Sequence, residues 1–259
     1  MRRRLFFIYG ATAYVLFLGI YAYMAGFLGN FWVPKSIDSP SDEPVATAAL
    51  INLALLALFG VQHSVMARPA FKRIWTRIIP EPIERSTYVM ASNAVTILLM
   101  WQWRGMDRVI WQVEQPVLRG AIWGLFAAGW LLVPAVTVLI HHFDLFGMRQ
   151  VWLHLCGRDY ESLEFRTPLL YKHVRHPLYI GWMIFFWATP TMTAGHLLFA
   201  GVLSGYMVLA VRFEERDLVA HFGEKYEAYR RRVPMFVPRP NTIVTPLSQR
   251  ALSPDSEGA

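Results

Sequence analysis

Runs of about 20 apolar residues recur along this chain, the length that crosses a hydrocarbon core ~30 Å thick. A segment in lipid must satisfy its backbone polar groups internally, so such runs fold as helices. Charged residues make up 17% of the chain and apolar ones 55%, against about 25% charged in a soluble domain. The expected fold class is all-α: a polytopic membrane helical bundle with five or six spans, the last two forming a helical hairpin. The formal charge of +7 fits basic loops that orient helices in a bilayer. The lipid bilayer is therefore the expected partner, and no nucleic acid is needed to explain the charge. A single cysteine, Cys156, excludes an internal disulfide framework and a CxxC metal site.

Span one covers Leu5 to Gly29 behind Arg2-Arg3-Arg4. Its apolar run is too long for a signal-peptide core, and no small-x-small cleavage site follows, so it reads as a retained helix. Span two covers Val45 to Met66, span three Tyr88 to Trp103, and span four Val117 to Ile140. In span four, Gly120 and Gly124 stand at GxxxG spacing, which permits close helix approach, and Pro134 predicts a kink. The positive-inside rule puts the triple arginine, the loop from Arg68 to Arg85 and the segment His141 to Arg175 in the cytoplasm. The slightly acidic loop with Lys35, Asp38, Asp42 and Glu43 then lies outside, as does the mixed loop from Arg104 to Arg119. The base of the last apolar run, and any site there, is then expected to face the cytoplasm.

The last apolar run, Leu178 to Val211, is too long for one crossing. Thr189-Pro190, Thr191, Thr193 and Gly195-His196 interrupt it, and proline disfavours helix at and before its own position. A hairpin with its tip at Thr189 to His196 follows, with Gly201 and Gly205 allowing tight packing of the return helix. Beyond Glu215, Leu218, Val219, Phe222, Tyr226 and Tyr229 recur at helical spacing opposite Glu224, Lys225, Glu227 and Arg230. That pattern predicts an interfacial helix. Three regions result: a four-helix membrane region over 1–140, a catalytic region over 141–240, and a polar tail over 241–259 that is expected to be disordered.

No GxGxxG loop after a strand, no Walker sequence, no HExxH and no GxSxG is present, so any cofactor must be held by membrane helices. The histidines show no metal-ligand spacing, and no metal is expected. Ionisable groups beside a bilayer need partners or a purpose, and the hairpin brings two such groups together. Its base joins Arg175-His176-Pro177 to Glu214-Glu215. Pro177 suits the first position of a helix, and free N–H groups there suit a carboxylate. Arg175 and His176 add donors, Tyr179 adds an aromatic wall with a hydroxyl, and Glu214 and Glu215 can neutralise an ammonium or sulfonium. S-adenosylmethionine carries all the complementary groups. A plainer alternative stands beside this: Arg175 and His176 anchor the helix at headgroups and pair with Glu214.

The segment from Thr167 to Pro238 resembles the C-terminal half of the isoprenylcysteine carboxyl methyltransferase and phospholipid methyltransferase superfamily. Tyr171, RHPLYIG at Arg175 to Gly181, EER at Glu214 to Arg216, and HFGEKYEAYRRRVP at His221 to Pro234 carry the resemblance. It implies that Tyr171, His176, Pro177, Leu178, Tyr179 and Glu214 bind S-adenosylmethionine, with Arg175, Gly181 and Glu215 as neighbours. QHSVMARPAFK at Gln62 to Lys72, ERSTYVMASN at Glu84 to Asn93, WQWR at Trp101 to Arg104 and HHFDLFGMRQVW at His141 to Trp152 are similar to the bacterial methanethiol S-methyltransferases. A small volatile thiol is then the implied substrate and dimethyl sulfide the product. Two alternatives remain: a methyltransferase for another acceptor (prenylcysteine carboxylate, phospholipid amine or other thiol), and a non-catalytic membrane accessory protein.

The thiolate is the effective nucleophile, so the site needs a base or a positive field. His141, His142, Asp144 and Arg149 are the catalytic candidates, with Gln150 beside them. An Asp–His pair of His142 and Asp144 would hold a neutral imidazole ready for the thiol proton. The alternative makes His141 and His142 interfacial and Asp144–Arg149 a loop salt bridge. His63, between Gln62 and Ser64, and Asn93 are polar groups inside spans, read equally as site members or as helix contacts. His173 lines the site or lies at the surface.

Overall fold

The computed structural model describes residues 1–238. The expected disordered tail, 241–259, lies outside those residues. The chain forms α1 (Arg2–Gly29), α2 (Val45–Ala67), α3 (Pro69–Trp75), α4 (Glu81–Gln102), β1 (Val109–Gln112) and α5 (Pro116–Leu139). It continues as α6 (His142–Leu145), α7 (Met148–Leu155), a short 3-10 helix (Leu169–Lys172), α8 (Pro177–Trp187), β2 (Thr191–Thr193), α9 (Ala194–Phe222) and α10 (Glu224–Arg232). Helices α1, α2, α5 and α9 are long and apolar enough to cross a membrane. With α4 and the short α8 they make the all-α polytopic bundle. One core joins them, with Phe27 and Leu28 of α1, Leu56 of α2, Leu99 of α4, Phe126 of α5, Phe185 of α8 and Phe199 of α9 packed together.

The apolar hairpin forms, and its short arm explains the small sheet. Eleven residues rise only about 16 Å, roughly half a bilayer core. The rest of the arm is extended backbone whose polar groups need partners. The loop after α4 supplies them. β1 and β2 pair antiparallel, with Val109 opposite Thr193 and Gln112 opposite Thr191. The N–H of Val113 donates to Pro190 O (2.8 Å), and that of Ala194 to Arg108 O (2.8 Å). The same end gathers the loop after α1: Trp103 Nε1 donates to Ile37 O (3.0 Å), Thr193 Oγ1 donates to Asp38, and Asn52 bridges to the backbone of Arg104. The loops at Lys35–Glu43 and Arg104–Arg119 therefore share one end of the bundle, as the topology requires. At the opposite end α1 meets α7, where Phe6 stacks on His154.

Several expectations need correction. The GxxxG pair Gly120 and Gly124, and likewise Gly201 and Gly205, have open space where a Cβ would stand. Those positions are exposed, because the faces that carry them point away from neighbouring helices. Close approach occurs at Gly129 and Gly181 instead. A Cβ on Gly129 would stand 2.6 Å from the backbone N of Phe185, and one on Gly181 would stand 3.1 Å from Val133 Cγ2. Gly129→Ala should therefore push α5 and α8 apart and destabilise the protein by about 1–3 kcal/mol, read as a lower melting temperature in detergent. A second Gly120→Ala variant should melt like the parent.

The third span begins earlier than hydropathy suggested, at Glu81 rather than Tyr88. Pro82 in the first turn and the acidic Glu81 and Glu84 are favourable helix-start residues. Their charge hid the turn from a hydropathy reading. The amphipathic stretch after Glu215 is not one helix. It is the end of α9, broken at Gly223 (φ 57°) and resumed as α10. Tyr226, Tyr229 and Val233 there form a satellite core with Phe165, Leu218, Val219 and Phe222.

Candidate active site

The turn before α8 and the adjacent glutamates of α9 do meet. Arg175 Nε donates to Glu215 Oε1 at 2.6 Å, and His176 Nε2 lies 3.0 Å from the same oxygen. Arg175 Nη1 also donates to the carbonyls of Arg230 and Val233. The N–H groups of Arg175 and His176 reach Pro234 O (2.9 Å) and Met235 O (3.2 Å). These contacts latch the turn, α9 and the segment after α10 together. Glu214 points elsewhere, because consecutive helix residues are ~100° apart around the axis. It accepts a hydrogen bond from Tyr179 Oη at 2.8 Å, and His176 Nδ1 stands 3.9 Å away. Side-chain exposure separates the two carboxylates: 9% for Glu215 and 42% for Glu214. Arg175 thus pairs with Glu215, and His176 hydrogen-bonds the same carboxylate, where the plainer alternative had named Glu214.

Inside the bundle, next to this base, lie two cavities. The larger, about 280 Å³, is lined by Leu178 and Trp182 of α8, His63, Tyr88, and Lys72 and Arg85. The smaller, about 140 Å³, is bounded by Tyr179, Trp182, His63 and Tyr206 among apolar walls. Lys72 and Arg85 also line an open polar pocket on the basic end, so they stand between bundle interior and exterior. Among the described residues neither is paired with a carboxylate. Burial, and then the Arg85 guanidinium, hold Lys72 below the usual lysine range. Two unpaired cations at the mouth of the larger cavity favour an anionic group there. Glu214 lines neither cavity, and its partner Tyr179 borders the smaller one.

α2 is set against α9 by three contacts. Arg68 Nη1 meets Asp217 Oδ2 at 2.8 Å, Ser64 Oγ meets Tyr206 Oη at 2.9 Å, and the Tyr206 ring fills the space that a Cβ on Gly60 would need. His63 is carried into the cavity by this arrangement, while Gln62 bonds Ser92 of α4 at 3.3 Å. Asn93 donates to Ala13 O at 2.9 Å and also lines the larger cavity. His173 is exposed.

The catalytic candidates are not arranged as expected. His142 and Asp144 form no pair. Both ring nitrogens of His142 are occupied, Nε2 by Tyr14 Oη (2.7 Å) and Nδ1 by Thr137 Oγ1 (2.7 Å). Thr137 and Phe146 line the larger cavity and His142 stands behind them, its pKa lowered by burial. Asp144 instead pairs with Arg149 (3.0 Å) and accepts from Tyr160 Oη (3.3 Å). One turn of four residues cannot aim both side chains at each other once α5 and α7 claim them separately. His141 is exposed and takes a left-handed backbone at the α5–α6 corner (φ 73°). Of the other expected residues, Tyr171 holds Tyr229 Oη at its carbonyl (2.6 Å). Its phenol is buried near Glu214, and both effects raise its pKa. Pro177 opens α8, and Gly181 serves the contact with α5.

Sequence reasoning did not place Lys72, Arg85, Tyr88, Trp182 and Tyr206 around these cavities. The signals were faint: two members of a basic loop, and aromatics inside apolar runs that packing explains equally well.

Comparison with known proteins adds the lineage. No family model and no solved structure matches the chain. It is 51% identical over 241 residues to the methanethiol S-methyltransferase of Mycobacterium tuberculosis, covering 93% of this chain and 99% of that protein. The chain belongs to the methanethiol S-methyltransferase family. The family member from Crocosphaera subtropica is 50% identical over 238 residues, 92% of this chain and 93% of that protein. Outside the methanethiol S-methyltransferases, Nurim of Rattus norvegicus is 30% identical over 189 residues, covering 68% of this chain and 70% of that protein.

Proposed function

We propose that this protein methylates methanethiol to dimethyl sulfide, with S-adenosylmethionine as methyl donor, at the cytoplasmic face of the bacterial inner membrane. The observation that carries the reading is the Tyr179–Glu214 pair, whose tyrosine borders a cavity inside the bundle, in a chain about half identical to methanethiol S-methyltransferases along most of its length. The donor's groups match the residues present. Its carboxylate suits Lys72, Arg85 and the free N–H groups that open α8, its ammonium and ribose suit Glu214, and its base suits the ring of Trp182. When bound it supplies a methyl group on a positively charged sulfur. The chain's own work is positional. The Arg175–His176–Glu215 latch holds the start of α8 against α9, and Tyr179 keeps the Glu214 carboxylate oriented. Apolar walls exclude water, which would otherwise solvate the nucleophile and weaken electrostatic contacts. The basic residues cluster at the end that carries this site, which supports a cytoplasmic orientation by the positive-inside rule.

Membranes containing the protein, given methanethiol and S-adenosylmethionine, should release dimethyl sulfide into the headspace, measured by gas chromatography. Turnover of a prenylcysteine or a phospholipid amine without dimethyl sulfide would overturn the acceptor assignment.

A further inference from the structure

His63 is a titratable side chain for which the scheme above has no use, and its placement is specific. Its ring stacks on Phe59 (centroids 5.3 Å apart). The Tyr88 oxygen lies 2.9 Å from Nε2 and 3.0 Å from Nδ1, and neither nitrogen has another partner among the described residues. Both nitrogens share the Tyr88 hydroxyl as their one partner; in the neutral imidazole one of them carries the N–H and the other a lone pair. His63 and Trp182 are also the residues that line both cavities. The imidazole thus borders the larger, basic-mouthed space and the smaller apolar one.

The smaller cavity, about 140 Å³, is below the ~300 Å³ at which pockets begin to take drug-sized ligands. Met24, Phe59, Phe186, Phe199, Leu203 and Met207 supply apolar and sulfur-bearing surface, which suits a soft sulfur atom. Tyr179, the partner of Glu214, closes one side.

We propose that this smaller cavity is the acceptor chamber for a small alkyl thiol, and that His63, oriented by Tyr88, takes the thiol proton. The inference rests on the methyl-transfer reading and deepens it. A cysteine thiol has a pKa near 8.5, a simple alkyl thiol is less acidic, and burial raises the value further. An uncatalysed thiol in this chamber would be almost wholly protonated. With His63 in place, the S–H bond breaks and its proton moves to the unprotonated imidazole nitrogen. The electron pair left on sulfur makes the new S–C bond to the transferred methyl, and the pair of the broken C–S bond stays on the donor sulfur. The thiolate and sulfonium charges cancel, leaving two neutral thioethers, the methylated acceptor and the spent donor. The imidazolium then returns its proton to water through the larger cavity. Charged and titratable groups face this region from each neighbouring element: Tyr88 of α4, Tyr179 of α8, Tyr206 of α9, Arg85 of α4, and Arg68 and Lys72 at the α2–α3 corner. The cations among them favour the thiolate. Glu214 is held by Tyr179, and Arg68 by Asp217.

The test compares the parent with His63→Gln on two acceptors, methanethiol and methaneselenol, together with calorimetric binding of S-adenosylhomocysteine. A selenol is largely ionised at neutral pH and needs no base. His63→Gln should lower kcat/KM for methanethiol by about 100-fold or more, the usual worth of a general base. Turnover of methaneselenol should fall far less, and S-adenosylhomocysteine affinity should not change. Equal losses on both acceptors, or an unchanged methanethiol rate, would overturn the assignment. If His63→Gln does not fold, Tyr88→Phe serves, and it should slow methanethiol selectively for the same reason. A uniform slowing by that variant would also count against a base. A parent protein that makes no dimethyl sulfide overturns the function itself, an outcome distinct from a parent that is active and a variant that is indifferent.

Discussion

Glu215→Ala should destabilise the protein by about 3–5 kcal/mol, the usual cost of removing one partner from a buried charge pair. The measurement is the melting temperature of purified protein in detergent. Arg175 and His176 both point at the lost carboxylate, at 2.6 and 3.0 Å. With their side chains almost fully enclosed (9% and 4% exposed), water cannot take over. The turn that starts α8 should then detach from α9 and from the segment after α10, so donor binding is lost as a consequence of lost structure. A Glu215→Ala protein that melts like the parent would show that the latch does not hold this end of the bundle.

The neighbouring glutamate should behave oppositely. Glu214→Ala removes a half-exposed carboxylate whose hydrogen-bond donor is Tyr179. Folding should be nearly unaffected. Affinity for S-adenosylhomocysteine should fall by about 1.5–3 kcal/mol, the worth of a hydrogen bond to a charged group, or roughly 10–100-fold in Kd. Calorimetry on Glu214→Ala, with Tyr179→Phe in parallel, measures it. Tyr179→Phe keeps the ring and the carboxylate but frees the latter to rotate, so it should give a smaller loss of the same sign. Equal affinity in the parent and both variants would remove the pair from the donor site. The contrast between positions 214 and 215 is the sharper result. A merely structural glutamate pair would lose stability in both variants, and a merely ligand-binding pair would lose it in neither.

Much of the architecture was legible in the chain. Apolar run length marked α1, α2, α5 and α9, because the bilayer sets one scale for every span. Thr189-Pro190 marked the hairpin tip, because proline cannot continue a helix ladder. Other features were not legible, for identifiable reasons. GxxxG spacing at Gly120 and Gly124 says that a helix can be approached closely, but not that it is. That needs a partner on the same face, and α8 meets α5 at Gly129 instead. The pairing of β1 with β2 joins segments on either side of α5; Val109, Ile110 and Trp111 favour strand, but nothing in the chain names Thr191–Thr193 as their partner. It arises because a short α8 leaves backbone groups to satisfy.

The site divides in the same way. Arg175, His176, Tyr179, Glu214 and Glu215 were recognisable as a group, because ionisable residues flanking an apolar hairpin must meet at its base. Their division of labour was not, since it depends on which side of α9 packs against the turn and α10. The His142–Asp144 pair failed for a related reason: each side chain found a nearer partner on a different element, Thr137 and Tyr14 for one and Arg149 for the other. His63 sat in the chain as an ambiguous polar residue, and only the convergence of α2, α4, α8 and α9 gives it two cavities to border.

Local composition therefore determined that this is a membrane helix bundle with a charged hairpin base, because solvation energies act residue by residue. Tertiary structure decided which carboxylate is a latch, which stays half-exposed beside Tyr179, and which histidine faces open space, because those properties belong to surfaces shared between distant segments.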